Sequence, residues 1–133
     1  MKNIVLLGGG GHCKTVIDTI AKLKGFKIAG ILDPKLKKGA RILGVPVIGG
    51  DNGLGRIIKQ RASYCLITVG STGSSKIRER LFNTVKKAGF KLQPVISIDA
   101  IVSNSAAVGE GSFVAPGAVI NAGTKIGNNC IIN

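Results

Sequence analysis

His12 is the only histidine in the chain, and it follows four consecutive glycines, Gly8 to Gly11. An imidazole at the start of a helix is held towards its neutral form and can hydrogen-bond a ligand at physiological pH. As a helix cap it would serve the fold alone. The glycines let backbone approach a ligand closely, and the helix N–H groups just beyond them are a seat for phosphate. Asp33, before Pro34, can accept hydrogen bonds from a ribose or a base, or simply organise a turn. A third stretch, "VGSTGSS" from Val69 to Ser75, puts Gly70 and Ser71 ahead of another helix start. Cys13 shares the helix start with His12, where a thiol can be activated, but no second histidine is present to act as its base. Together the three loops outline a pocket for a nucleotide carrying phosphates.

For these groups to meet, strands and helices must alternate. The segment "NIVLLGGGGHCKTVIDTIAKLKGFKIAGILD" reads as strand, glycine turn, helix and strand, with Val16, Ile17, Ile20, Ala21 and Leu23 at helical spacing. Two further rounds follow. Val45 to Ile48 is a predicted strand before a helix over Asp51 to Arg61, and Cys65 to Val69 a strand before a helix over Ser74 to Ala88, stopped by Gly89. The alternation predicts a small Rossmann-like α/β domain, its parallel sheet covered on both faces and its ligand at the carboxyl ends of the strands. Reading G-x-G-x-x-G from Gly8 puts Cys13 where the third glycine should stand, which disfavours a nicotinamide cofactor.

From Val102 onward the pattern changes. An aliphatic residue recurs at every sixth position, Val102, Val108, Val114, Ile120, Ile126 and Ile132. Four places after each of the first five comes a small residue, Ala106, Ser112, Ala118, Thr124 or Cys130, and this inward register assigns Cys130 to packing. A period of two interrupted by a corner is how a β-helix coil reads. The pattern is still running at the last residue, Asn133, which directly follows Ile132 as Ser103 follows Val102. Two domains are therefore expected, residues 1–94 and residues 95–133.

Composition sets the outer limits. The chain has 133 residues, 44% of them hydrophobic, which suffices for a core. No apolar run approaches the roughly 18 residues of a membrane span, nor does the start read as a signal peptide, so a cytoplasmic protein with no membrane association is expected. Cys13, Cys65 and Cys130 lack the spacing of a disulfide framework or a metal site. Of the 19 basic residues, 18 lie in residues 1–94, and the net charge is +13. They are scattered over predicted helix ends and loops, and with one Tyr, four Phe and no Trp there is little for bases to stack on, so nucleic-acid binding is not expected.

A glycine-turn α/β domain running into hexapeptide repeats resembles the bacterial sialic-acid O-acetyltransferase family, which includes N-acetyltransferases acting on nucleotide-linked 4-amino sugars. The resemblance covers the whole chain and is carried by "LLGGGGHCK", "GILD", "ITVGS" followed by "KIRERL", and "VGEGSFVAPGAVINAGTKIGNNCIIN". It implies a nucleotide-sugar substrate used in making surface glycans, with Gly8, Gly10, Gly11 and His12 on its phosphate and sugar side, Asp33 and Pro34 at the base or ribose, and Gly70 and Ser71 beside the nucleotide. It implies a left-handed parallel β-helix of three hexapeptides per coil, a homotrimer when full-length, and acetyl-CoA as cosubstrate between neighbouring helices.

The chain departs from the family at Pro34, where a second acid is frequent, at Ser71, where Asn or Asp is common, and at Cys13, often glycine. The base of the nucleotide stays open. In the family a Val-Glu-His stretch carrying the catalytic base follows the "IIN" segment, here Ile131 to Asn133. The resemblance thus implies a base beyond Asn133, and no catalytic residue is expected within these 133 residues. From Val102 the repeats amount to less than two coils. The resemblance therefore implies the substrate-binding piece of a longer enzyme, unable to transfer acetyl by itself. A non-catalytic nucleotide-sugar-binding module is the alternative.

Overall fold

The computed structural model describes residues 1–70 and 74–133. Strand β1 (Lys2–Leu7) ends in a continuous apolar run, Ile4 to Leu7, because that part is buried on both faces in the interior of a sheet. Its side chains alternate: Ile4 and Leu6 enter one core, Val5 and Leu7 the other. Helix α1 (Gly11–Ala21) covers the first core with Cys13, Val16, Ile17 and Ile20. Strand β2 (Phe26–Leu32) pairs in parallel with β1.

Next come β3 (Arg41–Ile42) and β4 (Val45–Gly49), an antiparallel pair whose first strand the sequence reading passed over. The helix expected over Asp51 to Arg61 is shorter. A 3-10 turn at Asp51–Gly53 precedes α2 (Leu54–Gln60), because the glycines in that segment raise the cost of helix. Strand β5 (Tyr64–Ile67) leads to α3 (Lys76–Lys87), both shorter than the predicted Cys65 to Val69 and Ser74 to Ala88. Leu54 of α2 and Leu81 and Val85 of α3 fill the second core.

The sheet order is β3-β4-β2-β1-β5. The chain builds outward from β1 through β2 to β4, then returns to place β5 on the other side of β1. This reversal opens a crevice at the carboxyl ends of β1 and β5, where open α/β sheets bind ligands.

The rest of the chain is a three-sided stack of two-residue strands: β6 (Val95–Ile96), β7 (Ile101–Val102), β8 (Ala107–Val108), β9 (Phe113–Val114), β10 (Val119–Ile120), β11 (Lys125–Ile126) and β12 (Ile131–Ile132). Val95 pairs with Phe113, Ile101 with Val119, Ala107 with Lys125 and Phe113 with Ile131, all parallel, which makes one coil three hexapeptides. The hexapeptide registers have a backbone cause. The N–H groups of Ala106, Ser112, Ala118 and Thr124 donate to the carbonyls of Ser103, Gly109, Ala115 and Asn121, so the residue after each aliphatic one and the small residue three places later close each corner.

The repeat begins one rung earlier than the sequence reading placed it. Ile96 lies six residues before Val102, faces the same core, and adds β6 beneath β9. Two coils and one strand are thus present, rather than less than two coils. Cys130 is also corrected: it is half-buried and outside that core, its Sγ 3.4 Å from the Asn128 carbonyl. The coil stays in register there because the Cys130 N–H donates to Ser112 Oγ at 2.9 Å.

One side of this prism packs on the sheet. Val95, Phe113 and Ala115 belong to the same core as α1, so the repeats complete the cover of that face. Two exposed ion pairs, Lys22 to Asp99 and Lys86 to Glu110, both at 2.9 Å, flank the junction. Among the described residues no helix is long and apolar enough to cross a membrane.

Candidate functional site

A cleft of about 650 Å³ lies at the carboxyl ends of β1, β2 and β5. Gly8, Gly9, Gly10, Gly11 and His12 form one side, Asp33, Pro34 and Lys35 another, and Thr68, Val69 and Gly70 a third, with Arg80 reaching in from α3. Of the residues singled out from the sequence, Gly8, Gly10, Gly11, His12, Asp33, Pro34 and Gly70 thus line one space. Ser71 lies outside the described residues. Asn133, beyond which the family resemblance put the catalytic base, is exposed just after β12 and is not part of the cleft lining.

The glycine loop divides into two kinds of position. Gly8 has φ +118, and a side chain there would meet Val69 Cγ2 at 2.6 Å and Val69 N at 2.9 Å. Its carbonyl accepts a 2.6 Å hydrogen bond from Thr68 Oγ1, which locks the loop to β5. At Gly10 and Gly11 an added Cβ would touch nothing within 4 Å, so the fold itself makes no demand for glycine there. The two bare positions form the rim of the cleft at the start of α1, which has no side-chain cap and no acid in its first turn. The N–H groups and positive end of that helix therefore face open space, as an anion seat requires.

Helix α1 begins at Gly11 with Gly10 as its N-cap, so His12 is in the first turn and is not a cap. Its ring stands edge-on to Phe113 of β9, and its Nε2 is buried without a hydrogen-bond partner. Burial, and after it the Arg78 guanidinium, hold the imidazole below its ordinary 6.5. At neutral pH the ring is uncharged.

Asp33 is occupied by the fold. Its Oδ2 accepts from the Gly9 N–H at 2.9 Å and its Oδ1 from the Lys35 N–H at 2.8 Å. The carboxylate therefore fixes the glycine loop and the turn after β2, with lone pairs to spare for a ligand. Cys13 is fully buried, and burial pushes its thiol up to about 11 against a lowering hydrogen bond from Thr68. A thiol so protonated is no nucleophile, and Cys65, pushed up to about 12 by burial, is equally inert.

Arg78 was missed from the sequence. It is 3% exposed and donates to the carbonyls of Ile67 and Val69, the strand end and cleft wall after β5. The signal was available: Arg78, Leu81 and Val85 fall at helical spacing on one buried face of α3, and a charge on an apolar stripe needs partners. Lys35 and Arg80, which bring positive charge to the cleft, were not singled out either.

With this geometry established, comparison with known proteins gives a consistent answer. The family described as PglD N-terminal domain matches residues 3–85. Among solved structures, PerB from Caulobacter crescentus in complex with CoA and GDP-perosamine is similar over the whole chain, with 36% identity and a TM-score of 0.89. The acetyltransferase domain of PglB from Neisseria gonorrhoeae FA1090 in complex with acetyl coenzyme A is similar over 99% of the chain, with 30% identity and a TM-score of 0.84. The chain spans 60% of the length of the first and 62% of the second. Among curated proteins none matches. The family match takes in all three cleft loops, and the chain belongs to the PglD N-terminal domain family, as the resemblance to nucleotide-linked amino-sugar acetyltransferases implied.

Proposed function

We propose that this chain is the substrate-binding part of an acetyl-CoA-dependent acetyltransferase that acylates a nucleotide-linked amino sugar in surface-glycan biosynthesis. The observation that carries the reading is the convergence in one cleft of a bare, uncapped helix start and an uncharged imidazole. The ligands named for PerB, GDP-perosamine and CoA, support it.

On this reading Gly8, Gly10 and Gly11 receive the phosphates at the start of α1, and Lys35 and Arg80 add positive charge. Asp33, Pro34 and Gly70, with Ser71, meet the ribose and base. His12 then stands at the sugar end of the cleft, its neutral ring offered to a polar group of the sugar. In the reaction the amine nitrogen attacks the thioester carbonyl, a C–N bond forms, CoA leaves as its thiolate, and the amine proton passes to a base. His12, held against Phe113, orients the acceptor. Asp33, whose two oxygens hold backbone N–H groups, and Cys13, which stays protonated, do not suit the base. On this reading the base and most of the acetyl-CoA surface come from elsewhere in the enzyme, and residues 1–133 alone bind without turnover.

The division into residues 1–94 and residues 95–133 belongs to the same reading, supported by the start of the coil stack at Val95. So does a homotrimer. Ile101 and Val119, paired side by side on an outer face of the β-helix, are 69% and 61% exposed, with Ile98 on the preceding turn 62% exposed. An apolar face of that kind favours self-association.

Calorimetric titration of the chain with GDP, UDP and NAD at physiological salt tests the assignment. Binding of one of the two nucleoside diphosphates, with none of NAD, is expected. NAD binding with neither diphosphate bound would replace this reading by a nicotinamide-cofactor domain.

A further inference from the structure

Arg78 of α3 links the cleft to the β-helix. Its Nη1 donates to the carbonyls of Ile67 at 3.0 Å and Val69 at 2.8 Å. Its Nη2 donates to the carbonyl of Asn129 at 3.0 Å and to Asn129 Oδ1 at 2.7 Å, and Asn129 Nδ2 returns a 3.0 Å bond to the Arg78 carbonyl. None of these partners is a carboxylate. A guanidinium is strongly solvated by water when exposed, so its compensation here comes from the Ile67 carbonyl at the end of β5, the Val69 carbonyl on the cleft wall and one residue of the coil.

Asn129 is itself out of pattern. Gly111, Gly117 and Gly123 occupy the preceding corners at six-residue spacing with φ of 69, 81 and 74, and Asn129 takes the next with φ 57. Glycine meets that backbone demand without strain, whereas asparagine accepts some and brings an amide. The amide adds two hydrogen bonds with Arg78 to those its backbone carbonyl accepts from Nη2 and Nε. On the cleft side, Val69 fills the space where a side chain on Gly8 would stand, and Thr68 beside it holds the Gly8 carbonyl. A displacement at Asn129 therefore reaches the glycine loop through a single side chain.

We infer that Arg78 is a positioning residue that couples the nucleotide cleft to the β-helix corner at Asn129, so that order at either place is transmitted to the other. The coupling stands on the contacts alone; only its ligand arm rests on the nucleotide reading. In an acyltransferase this would bring the coil that presents the donor into register with a filled cleft.

The test is hydrogen exchange and calorimetry on the full chain. Asn129→Gly keeps the left-handed corner and deletes the amide. Asn128→Ala loosens the same corner by removing the Asn128 Oδ1 acceptor of the Glu110 N–H, 2.9 Å, without touching Arg78. Asn129→Gly is expected to speed exchange at the Gly8 and Thr68 amides by about fivefold or more, and to weaken GDP or UDP binding by a similar factor. Asn128→Ala is expected to leave both unchanged. Faster exchange confined to the coil in Asn129→Gly, or equal effects of the two substitutions at Gly8 and Thr68, would overturn the inference. If the wild type binds neither nucleotide, the nucleotide reading fails, while the exchange comparison still decides the coupling.

Discussion

The His12 ring stands edge-on to the Phe113 ring, with centroids 5.2 Å apart and planes at 85°. One residue opens α1 beside the glycine loop and the other is the outward residue of β9, fully buried between coil and sheet. The imidazole of the cleft is therefore positioned by the repeat domain. The contact also gives a reason for an aromatic ring at a position of the repeat that elsewhere carries Val95, Ile101, Ala107, Val119, Lys125 and Ile131.

Phe113→Ala is expected to destabilise the chain by about 3–5 kcal/mol, the usual cost of emptying a buried aromatic site. It should also free the His12 ring and let its pKa rise towards 6.5. Urea denaturation gives the first quantity and an NMR titration of the single imidazole the second. A destabilised variant with an unmoved His12 titration would show that the ring is held by something other than Phe113.

The depressed His12 pKa makes stability depend on pH in one direction. The unfolded chain takes up this proton near 6.5 and the folded chain only at a lower pH. The contribution is fully present above the unfolded value and is lost as pH falls through the window between the two. Denaturation midpoints should therefore fall more steeply from about pH 7.5 to about pH 5 in the wild type than in His12→Gln, which lacks the titrating ring. Parallel profiles would contradict this.

Two glycines of the same loop should respond in opposite ways. Gly8→Ala forces a side chain into Val69 at positive φ and should cost more than about 1 kcal/mol. Gly10→Ala meets open space and should change stability by less than about 1 kcal/mol, yet obstruct a ligand at the start of α1. Thermal denaturation and nucleotide titration of both variants separate packing from binding. Nucleotide affinity unchanged by Gly10→Ala would move the phosphate seat elsewhere.

Asp33→Ala removes the acceptor for two backbone N–H groups and should destabilise by about 1–3 kcal/mol. Asp33→Asn keeps one acceptor oxygen and should lose less. Equal stability of all three proteins by urea denaturation would show that the carboxylate does not hold these loops.

Much of this was legible in the sequence, for physical reasons that also mark where legibility stopped. Continuous apolar strands, the glycine turn and the six-residue period are local, so β1, α1 and the coil stack could be read directly. The loops on the same sheet edge followed from the alternation of strand and helix, which brought Gly8, His12, Asp33 and Gly70 together. Ile96 was overlooked although it obeys the period, with Ser97 and Ala100 in the right registers, because its rung follows Pro94 and a non-repetitive segment. The inward turn of Asp33 was offered only as one alternative, since the N–H groups it caps are 24 residues away at Gly9 and two residues away at Lys35. The Arg78 to Asn129 pair, 51 residues apart, has no local signature beyond a charge on an apolar stripe.

If the cleft binds a nucleotide-linked amino sugar with His12 at its sugar end, the histidine must distinguish the sugar from the bare nucleotide. The most direct measurement is calorimetric affinity for a nucleotide-linked 4-amino sugar and for the same nucleotide without sugar, in the wild type and in His12→Ala. The substitution is expected to leave affinity for the bare nucleotide intact and to remove most of the gain contributed by the amino sugar. Equal loss for both ligands, or no binding of either to the wild-type chain, would contradict the assignment.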